Sequence, residues 1–193
     1  KTDKHEAVHY MLNEWDALMN IFTRGDYHLD NNLVERLNRY ISLSRRNSLF
    51  FGSHTGARRA AMFLLRKTEN LFDNLYKALG SVIKEDTYIA GDETYHKVLV
   101  KDKNKDGKGI KKAYIWVVTA VNTGLVYYFY HDGSRKEDII LDYMNGYRGA
   151  FQSDGFSPYR KMAKWLLRLA CFQHVKRKFL DCGDDFDAKV IVR

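Results

Sequence analysis

Three consecutive strand-like segments in the middle of the chain constrain its fold more than any other feature. Residues 87–100, 113–121 and 125–131 are rich in β-branched and aromatic side chains, as β-strands are. The Asn-Thr-Gly sequence at 122–124 is typical of the tight turn of a β-hairpin. The pattern therefore predicts that the second part of the chain is built on a β-sheet.

Helix and strand patterns alternate after these three segments. Residues 134–147 are predicted to form a short helix, and residues 149–156 begin as a further strand. Residues 157–170 have the pattern of one helix, with Pro158 at its first position. Residues 171–181 predict another short strand and helix. Up to residue 170, the predicted order is strand, strand, strand, helix, strand, helix.

The N-terminal part shows helical periodicity. Residues 5–22 place six apolar side chains on one helical face, and residues 57–84 have the pattern of one helix or two. Residues 29–41 begin with polar capping residues and continue as a helix with an apolar stripe. Glu35 lies about half a turn from that stripe. It is either an ordinary solvated glutamate or one member of a metal site. The stripe consists of Leu33, Leu37, Tyr40 and Ile41, and the face within 5–22 of Val8, Leu12, Trp15, Leu18, Met19 and Phe22.

Composition narrows the class of protein. Of the 193 residues, 45% are hydrophobic, which is enough for a core and argues against disorder. No apolar run reaches the ~18 residues of a spanning helix, and the first residues lack the apolar region of a signal peptide. Two cysteines fit a reducing compartment. The net charge of +8 favours a polyanionic partner, nucleic acid first and an anionic membrane second.

Two metal-like motifs do not satisfy the requirements of their sites. The sequence DKNKDG at 102–107 resembles the opening of a calcium loop, but Ala113 stands where the loop needs a bidentate glutamate. Cys171 and His174 have the spacing of half a zinc site. A structural zinc needs four ligands, so a packed cysteine and a hydrogen-bonded histidine are the better interpretation.

Two aspartates stand out because of where they fall on predicted strands. Asp92 is flanked by apolar strand residues, where a carboxylate is unfavourable unless it is paired or binds a cation. Asp154 ends a second apolar strand and precedes Gly155, so it is either a turn residue or a ligand. Two such carboxylates and a third from a helix would form an oxygen-rich site for Mg²⁺ or Mn²⁺. Such two-metal sites support in-line displacement at phosphorus.

Five motifs together resemble the insertion sequence 66 family of DDE transposases. They are GDET with Asp92, QSDGF with Asp154, CFQHVKRKF at 171–179, LDNNLVER with Glu35 and RRNSLFFGSHTGARRA at 45–60. The resemblance implies a ribonuclease-H-like (retroviral-integrase-type) α/β fold, with a mixed five-stranded sheet and flanking helices. It implies that Asp92, Asp154 and Glu35 are the catalytic residues and hold Mg²⁺ or Mn²⁺, with Glu35 on a helix against the sheet edge where the two aspartates end.

The order of the motifs departs from the family. The family has aspartate, aspartate, glutamate, whereas here the glutamate segment comes first, so the chain resembles a permuted catalytic domain. Residues 1–66 resemble the family's C-terminal glutamate segment, and residues 67–193 its two-aspartate segment, within one domain at 1–193. The residues given do not include a match to the zinc motif and leader helices that the family carries upstream, which the resemblance implies would recognise transposon ends.

The resemblance also implies partners. Transposon ends and target DNA are the expected partners, and no membrane is expected to be involved. The protein is expected to form a homo-oligomer on DNA. Its expected location is the bacterial cytoplasm, at the nucleoid. Asn31 and Asn32 either orient Glu35, touch DNA or simply cap the helix, and His174 either stands near the metals or is a buried histidine. Two rivals remain: a nuclease of the same fold without strand transfer, and an inactive DNA-binding remnant. The predicted phosphate contacts are Arg36, Arg39, Arg45, Arg46, Arg58, Arg59, Lys176, Arg177 and Lys178.

Overall fold

A computed structural model describes residues 4–47, 53–54, 56, 73–100 and 109–182. The chain divides into two compact units. The first unit combines Lys1–Asn31 with Arg148–Arg193, and the second spans Asn32–Tyr147. Each unit has its own apolar core, so each is described by itself.

The second unit is built on three antiparallel strands. They are β1 (Tyr88–Leu99), β2 (Ile110–Ala120) and β3 (Val126–Phe129). In the registers of the two pairs, Asp92 lies opposite Val117, and Trp116 lies opposite Phe129. These strands confirm the three predicted from the sequence.

The turn between β2 and β3 also has the predicted character. Gly124 has a φ of 72°, in the left-handed region that favours glycine. The carboxylate of Asp86 accepts hydrogen bonds from the backbone N–H groups of Asn122 and Thr123, at 3.1 and 3.2 Å. The Asp86 side chain thus fixes the turn from outside the hairpin.

Helices cover this antiparallel part. The helix α3 (Asn32–Asn47) packs on β1 and β2, and Val34 joins a core with Ala90, Val117 and Tyr128. The Tyr76 hydroxyl donates to the Tyr128 carbonyl at 2.5 Å. Two further helices of the unit are α4 (Asp73–Val82), followed by a short 3-10 turn at Ile83–Glu85, and α5 (Glu137–Met144).

The first unit contains two parallel strands and four helices among its described residues. The two strands pair with each other in parallel, and Ala150 of one lies opposite Leu167 of the other. The core of the unit includes Ala7, Leu18, Val175 and Phe179. Its elements are α1 (Lys4–Asn13), α2 (Trp15–Met19), a 3-10 turn at Asn20–Thr23, β4 (Ala150–Ser153), α6 (Ser157–Lys161), a 3-10 turn at Met162–Lys164, β5 (Leu167–Ala170) and α7 (Phe172–Leu180).

The prediction of one helix over residues 157–170 is wrong in its second half. The helix α6 ends at Lys161, and residues 167–170 form β5. A short apolar run fits a helix or a buried strand equally well. Here residues 167–170 pair with β4 and therefore form a strand. The strand predicted within 171–181 therefore lies earlier, and α7 begins at Phe172.

The single helical face predicted over residues 5–22 is also corrected. The helix breaks at Glu14, which is buried between α1 and α2. Of the six side chains on the predicted face only Leu18 is buried. The buried face instead contains Ala7 and Ala17. The segment is turned this way because the buried carboxylate of Glu14 must face the arginine that pairs with it.

The buried face of α3 is offset from the predicted stripe. Leu33 is exposed and Leu37 is half-buried, whereas Val34 and Asn38 are buried. Glu35 therefore borders the buried face and is itself half-buried, rather than lying on the opposite side. The offset turns the amide of Asn38 towards a partner on β1. The side chains of Tyr40 and Ile41 lie outside the described residues.

The predicted mixed α/β architecture is confirmed. The described residues contain five strands of a mixed sheet, with antiparallel and parallel pairs, and flanking helices. The ribonuclease-H-like arrangement and the assignment of 1–66 and 67–193 to two family segments stay predictions. Residues 57–72 and 101–108 lie outside the described part. No helix in the described part is long and apolar enough to cross a membrane.

Candidate functional site: two aspartates and a helix glutamate

Asp92 lies inside β1 and is held by two hydrogen bonds. The Asn38 side-chain amide donates to its Oδ2 at 2.6 Å, and the Glu93 backbone N–H donates to its Oδ1 at 2.9 Å. Asp92 is half-buried and faces α3. The expectation that it ends its strand is wrong, because β1 continues to Leu99 against the long partner strand β2.

Glu35 shares a helical face with the residue that holds Asp92. It lies three positions before Asn38 on α3, and residues three apart are neighbours on a helix surface. Because α3 packs on β1, this geometry presents Glu35 one turn from the Asn38–Asp92 contact. Both residues belong to the second unit.

Asp154 follows β4 directly and forms a tight turn. Its Oδ1 accepts the backbone N–H of Phe156 at 2.9 Å. The predicted turn role of Asp154 is therefore confirmed, and its catalytic role stays a prediction. The carboxylate remains half-buried.

A buried ion-pair cluster lies beside the Asp154 turn. The Glu14 carboxylate is buried, accepts from Arg160 Nε at 2.8 Å and pairs with the buried Arg168 guanidinium. Sequence reasoning missed this cluster. The available signal was that Glu14 falls on the stripe of Ala7, Leu18 and Ile21, the side of the segment that is buried.

Tyr10 lies against the same turn. Its hydroxyl accepts the backbone N–H of Gly155 at 3.0 Å. Burial raises the pKa of Tyr10 above its ordinary value, and the negative charges of Asp154 and Glu14 raise this pKa further. Tyr10 therefore stays protonated and neutral at physiological pH.

Cys171 is a packed cysteine. Cys171 is buried, and its sulfur accepts the backbone N–H of Asn31 at 3.3 Å. His174 is half-buried in the first turn of α7, where its backbone N–H donates to the Cys171 carbonyl. Asn31 is buried and directly precedes α3, which begins at Asn32. The predicted roles of Asn31 and Asn32 towards Glu35 or DNA, and of His174 near the metals, stay predictions.

The predicted phosphate contacts fall into three groups. Arg36 and Arg39 are exposed on α3, and Lys176 and Arg177 are exposed on α7. Lys178 pairs with Glu6 at 3.1 Å and lies over the Tyr10 ring. The side chains of Arg45 and Arg46, and the whole of Arg58 and Arg59, lie outside the described residues.

The donor chemistry of the three carboxylates suits a hard divalent cation. Carboxylate oxygens are the ligands that Mg²⁺ and Mn²⁺ prefer. Asp92 is oriented by a side chain that donates to it, as metal-binding carboxylates commonly are. The residues present therefore fit the ion that the sequence analysis predicted.

Comparison with known proteins identifies the family. The model of the transposase IS66 family matches residues 1–59 and 61–191, nearly the whole chain. The chain belongs to this family. The family predicted from the five sequence motifs is thus confirmed.

Curated relatives extend the comparison over a shorter stretch. The uncharacterized protein y4qI of Sinorhizobium fredii (strain NBRC 101917 / NGR234) is 41% identical over 58 residues, which are 30% of this chain and 11% of that protein. The uncharacterized protein y4hP of the same strain is 42% identical over 59 residues, 31% of this chain and 11% of that protein. The match thus spans about a tenth of each relative's length. No solved structure matches the chain.

IS66 membership supports the coarse functional predictions. It supports a transposase role and suggests that the chain comes from an enzyme.

Proposed function

We propose that this chain is the catalytic part of an IS66 transposase, which cuts DNA at the ends of an insertion sequence and joins them to target DNA. The observation that carries the proposal is the contact of Asn38 with Asp92, one helical turn from Glu35. This contact supports the proposal that Glu35 and Asp92 belong to one site. Asp154, at the end of β4, supplies the third.

The three carboxylates have separate roles in this proposal. Asp92 would hold both metal ions, and Asp154 and Glu35 would each complete the ligand set of one. Bound Mg²⁺ or Mn²⁺ would supply activation of the attacking oxygen and stabilisation of the leaving oxygen. Asn38 donates to Asp92 and would orient it. Asn31 and Asn32 would fix the start of α3, and His174 would lie near the metals.

The fold and setting follow from the same proposal. The antiparallel series β1–β3, then a helix, then the parallel pair of β4 and β5 supports a ribonuclease-H-like domain. We place the protein at the bacterial nucleoid, as a homo-oligomer on DNA. Its single catalytic domain carries the glutamate segment before the two aspartates.

Two exposed basic pairs are proposed to hold phosphates. Arg36 and Arg39 lie on the helix of Glu35, and Lys176 and Arg177 lie on α7. Such contacts position a duplex without reading its sequence. Arg45, Arg46, Arg58, Arg59 and Lys178 complete the proposed set.

Salt dependence measures this DNA contact. Replacing Lys176 and Arg177 by alanine should weaken DNA binding and flatten the log–log salt slope by about 0.9 for each lost phosphate contact. Replacing the exposed Lys164, outside the proposed set, should leave the slope unchanged. An unchanged slope in the Lys176/Arg177 variant removes α7 from the DNA surface.

The deciding experiment for the proposed function uses DNA that carries the terminal sequences of the element encoding the protein. Wild type with Mn²⁺ should nick these ends and join a pre-cut 3′ end to target DNA. Asp92→Asn and Glu35→Gln should abolish both products, whereas Asp138→Asn, an exposed aspartate on α5, should retain them. Nicking without joining would indicate a nuclease of the same fold. DNA binding that is equal with and without Mg²⁺, with no product, would indicate an inactive remnant.

A further inference from the structure

We propose that Glu14, Arg160 and Arg168 form a positioning cluster that fixes the Asp154 turn for metal binding. The inference rests on the proposed function, since it assigns Asp154 a metal. None of the three cluster residues is itself a proposed ligand. Their contacts reach the turn through its backbone.

The cluster is unusual because it is a buried ion pair. The Glu14 side chain is 0% exposed and that of Arg168 is 4% exposed. Removing two charges from water offsets most of their mutual attraction, so an apolar pair of similar volume often stabilises a fold equally well. The cluster therefore calls for a role other than stability.

Its remaining donors are directed at the turn. Arg168 donates to the Asp154 carbonyl at 2.8 Å, and Arg160 donates to the Gly155 carbonyl at 3.1 Å. The same terminal nitrogen of Arg168 also bonds Glu14. Two successive peptide groups of the turn are thus tied to one buried carboxylate.

Tyr10 holds the other side of the turn. Its hydroxyl accepts from Gly155 N, and its ring lies so close that a Cβ at position 155 would come within 2.6 Å. Only glycine fits there without displacing the ring. With the backbone fixed on both sides and Oδ1 bonded to Phe156, the carboxylate of Asp154 has little freedom left.

Tyr10 and Glu14 lie four positions apart, so they share one helical face. The first helices of the chain thereby set the geometry of an aspartate that follows about 140 residues later in the sequence. Residues that support metal ligands in this way commonly change metal affinity by about 10–100-fold when they are removed.

The test replaces the ion pair by an apolar pair in the 193-residue chain. The double variant Glu14→Met/Arg168→Met removes both charges and the donor to Asp154, while Arg160 can turn to water. We expect an unfolding temperature near that of wild type, Mn²⁺ binding about tenfold weaker by electron paramagnetic resonance, and a lower kcat with an unchanged KM for DNA. The matched control is Arg24→Gln/Asp26→Asn, an exposed ion pair of the same unit, which should bind Mn²⁺ as wild type does.

A milder series keeps the inference testable if the double variant does not fold. Tyr10→Phe and Arg160→Met each remove one contact to Gly155 and should each weaken Mn²⁺ binding. Arg168→Lys keeps a charge and a donor and should retain most of the affinity. Unchanged Mn²⁺ affinity and kcat in the folded variants would overturn the positioning role. Absence of Mn²⁺ binding in wild type would instead overturn the proposed function on which it rests.

Discussion

The two predicted catalytic aspartates are held in different ways. Asp92 sits within a long strand, and a side chain from a helix donates directly to its carboxylate. Asp154 sits in a turn, its carboxylate bonds within the turn, and buried arginine donates to its backbone. A regular strand already fixes the backbone of Asp92, so only the side chain needs an orienting partner.

This difference indicates which substitutions should disturb the position of each aspartate. A turn has fewer backbone hydrogen bonds than a strand, so its geometry depends on side chains that come from elsewhere in the chain. The Asp154 turn depends on Tyr10, Glu14, Arg160 and Arg168. Asp92 depends chiefly on Asn38. Substitutions at these supports should therefore affect stability unequally.

The largest effect is expected at Glu14. Glu14→Gln leaves the buried Arg168 without a counter-charge, and breaking a buried pair in this way costs about 3–5 kcal/mol of unfolding free energy. Urea denaturation measures the loss. Glu6→Gln, at the exposed pair with Lys178, is the control and should change the free energy by less than about 1 kcal/mol. Equal, small losses would show that the cluster does not hold the turn.

A smaller effect is expected at Asn38. Asn38→Leu is close in volume but removes the donor to the Asp92 carboxylate, which should cost about 2 kcal/mol. The same denaturation experiment measures it, with Asn145→Leu at an exposed position as the control. A loss as large as that of Glu14→Gln would contradict the proposed difference between strand and turn.

The smallest effect concerns alkaline pH and compares one tyrosine from each unit. Burial raises the pKa of Tyr10 and of Tyr143 above the ordinary value near 10. A raised pKa in the folded state means that their contribution to stability is complete below pH ~10 and is lost as pH rises towards the folded value.

Phenylalanine removes this ionisation. Tyr10→Phe and Tyr143→Phe should each flatten the loss of stability that begins near pH ~10 and continues as pH rises, measured by urea denaturation at each pH. Tyr27→Phe, at a half-buried tyrosine, serves as the comparison. An unchanged pH dependence at Tyr10 would mean that its hydroxyl is not buried against the Asp154 turn.

Sequence patterns predicted the strands and the turn that regular backbone geometry dictates. The segments of β1, β2 and β3 and the glycine of their hairpin were predictable because local propensity and tertiary pairing agree there. Residues 167–170 were misassigned because a short apolar run has no period of its own.

The candidate site was predictable only in part. Asp92, Asp154 and Glu35 could be named from motifs, and the structure supplies the Asn38 contact to one of them. The Glu14 cluster could not be found by pattern alone, because its partners lie about 150 residues away and pair only after folding.

The most direct test of the central claim is thermal unfolding of wild type and Asp92→Asn with and without millimolar Mn²⁺. Binding at about 100 times Kd stabilises the folded state by about 2.7 kcal/mol, so the unfolding temperature of wild type should rise by about 5–10 °C. Asp92→Asn should unfold no earlier than wild type without metal, because it removes a charge from the carboxylates, and should show no rise with Mn²⁺. A variant that is clearly destabilised without metal, yet shows the same rise as wild type, would make Asp92 a structural residue and contradict the account.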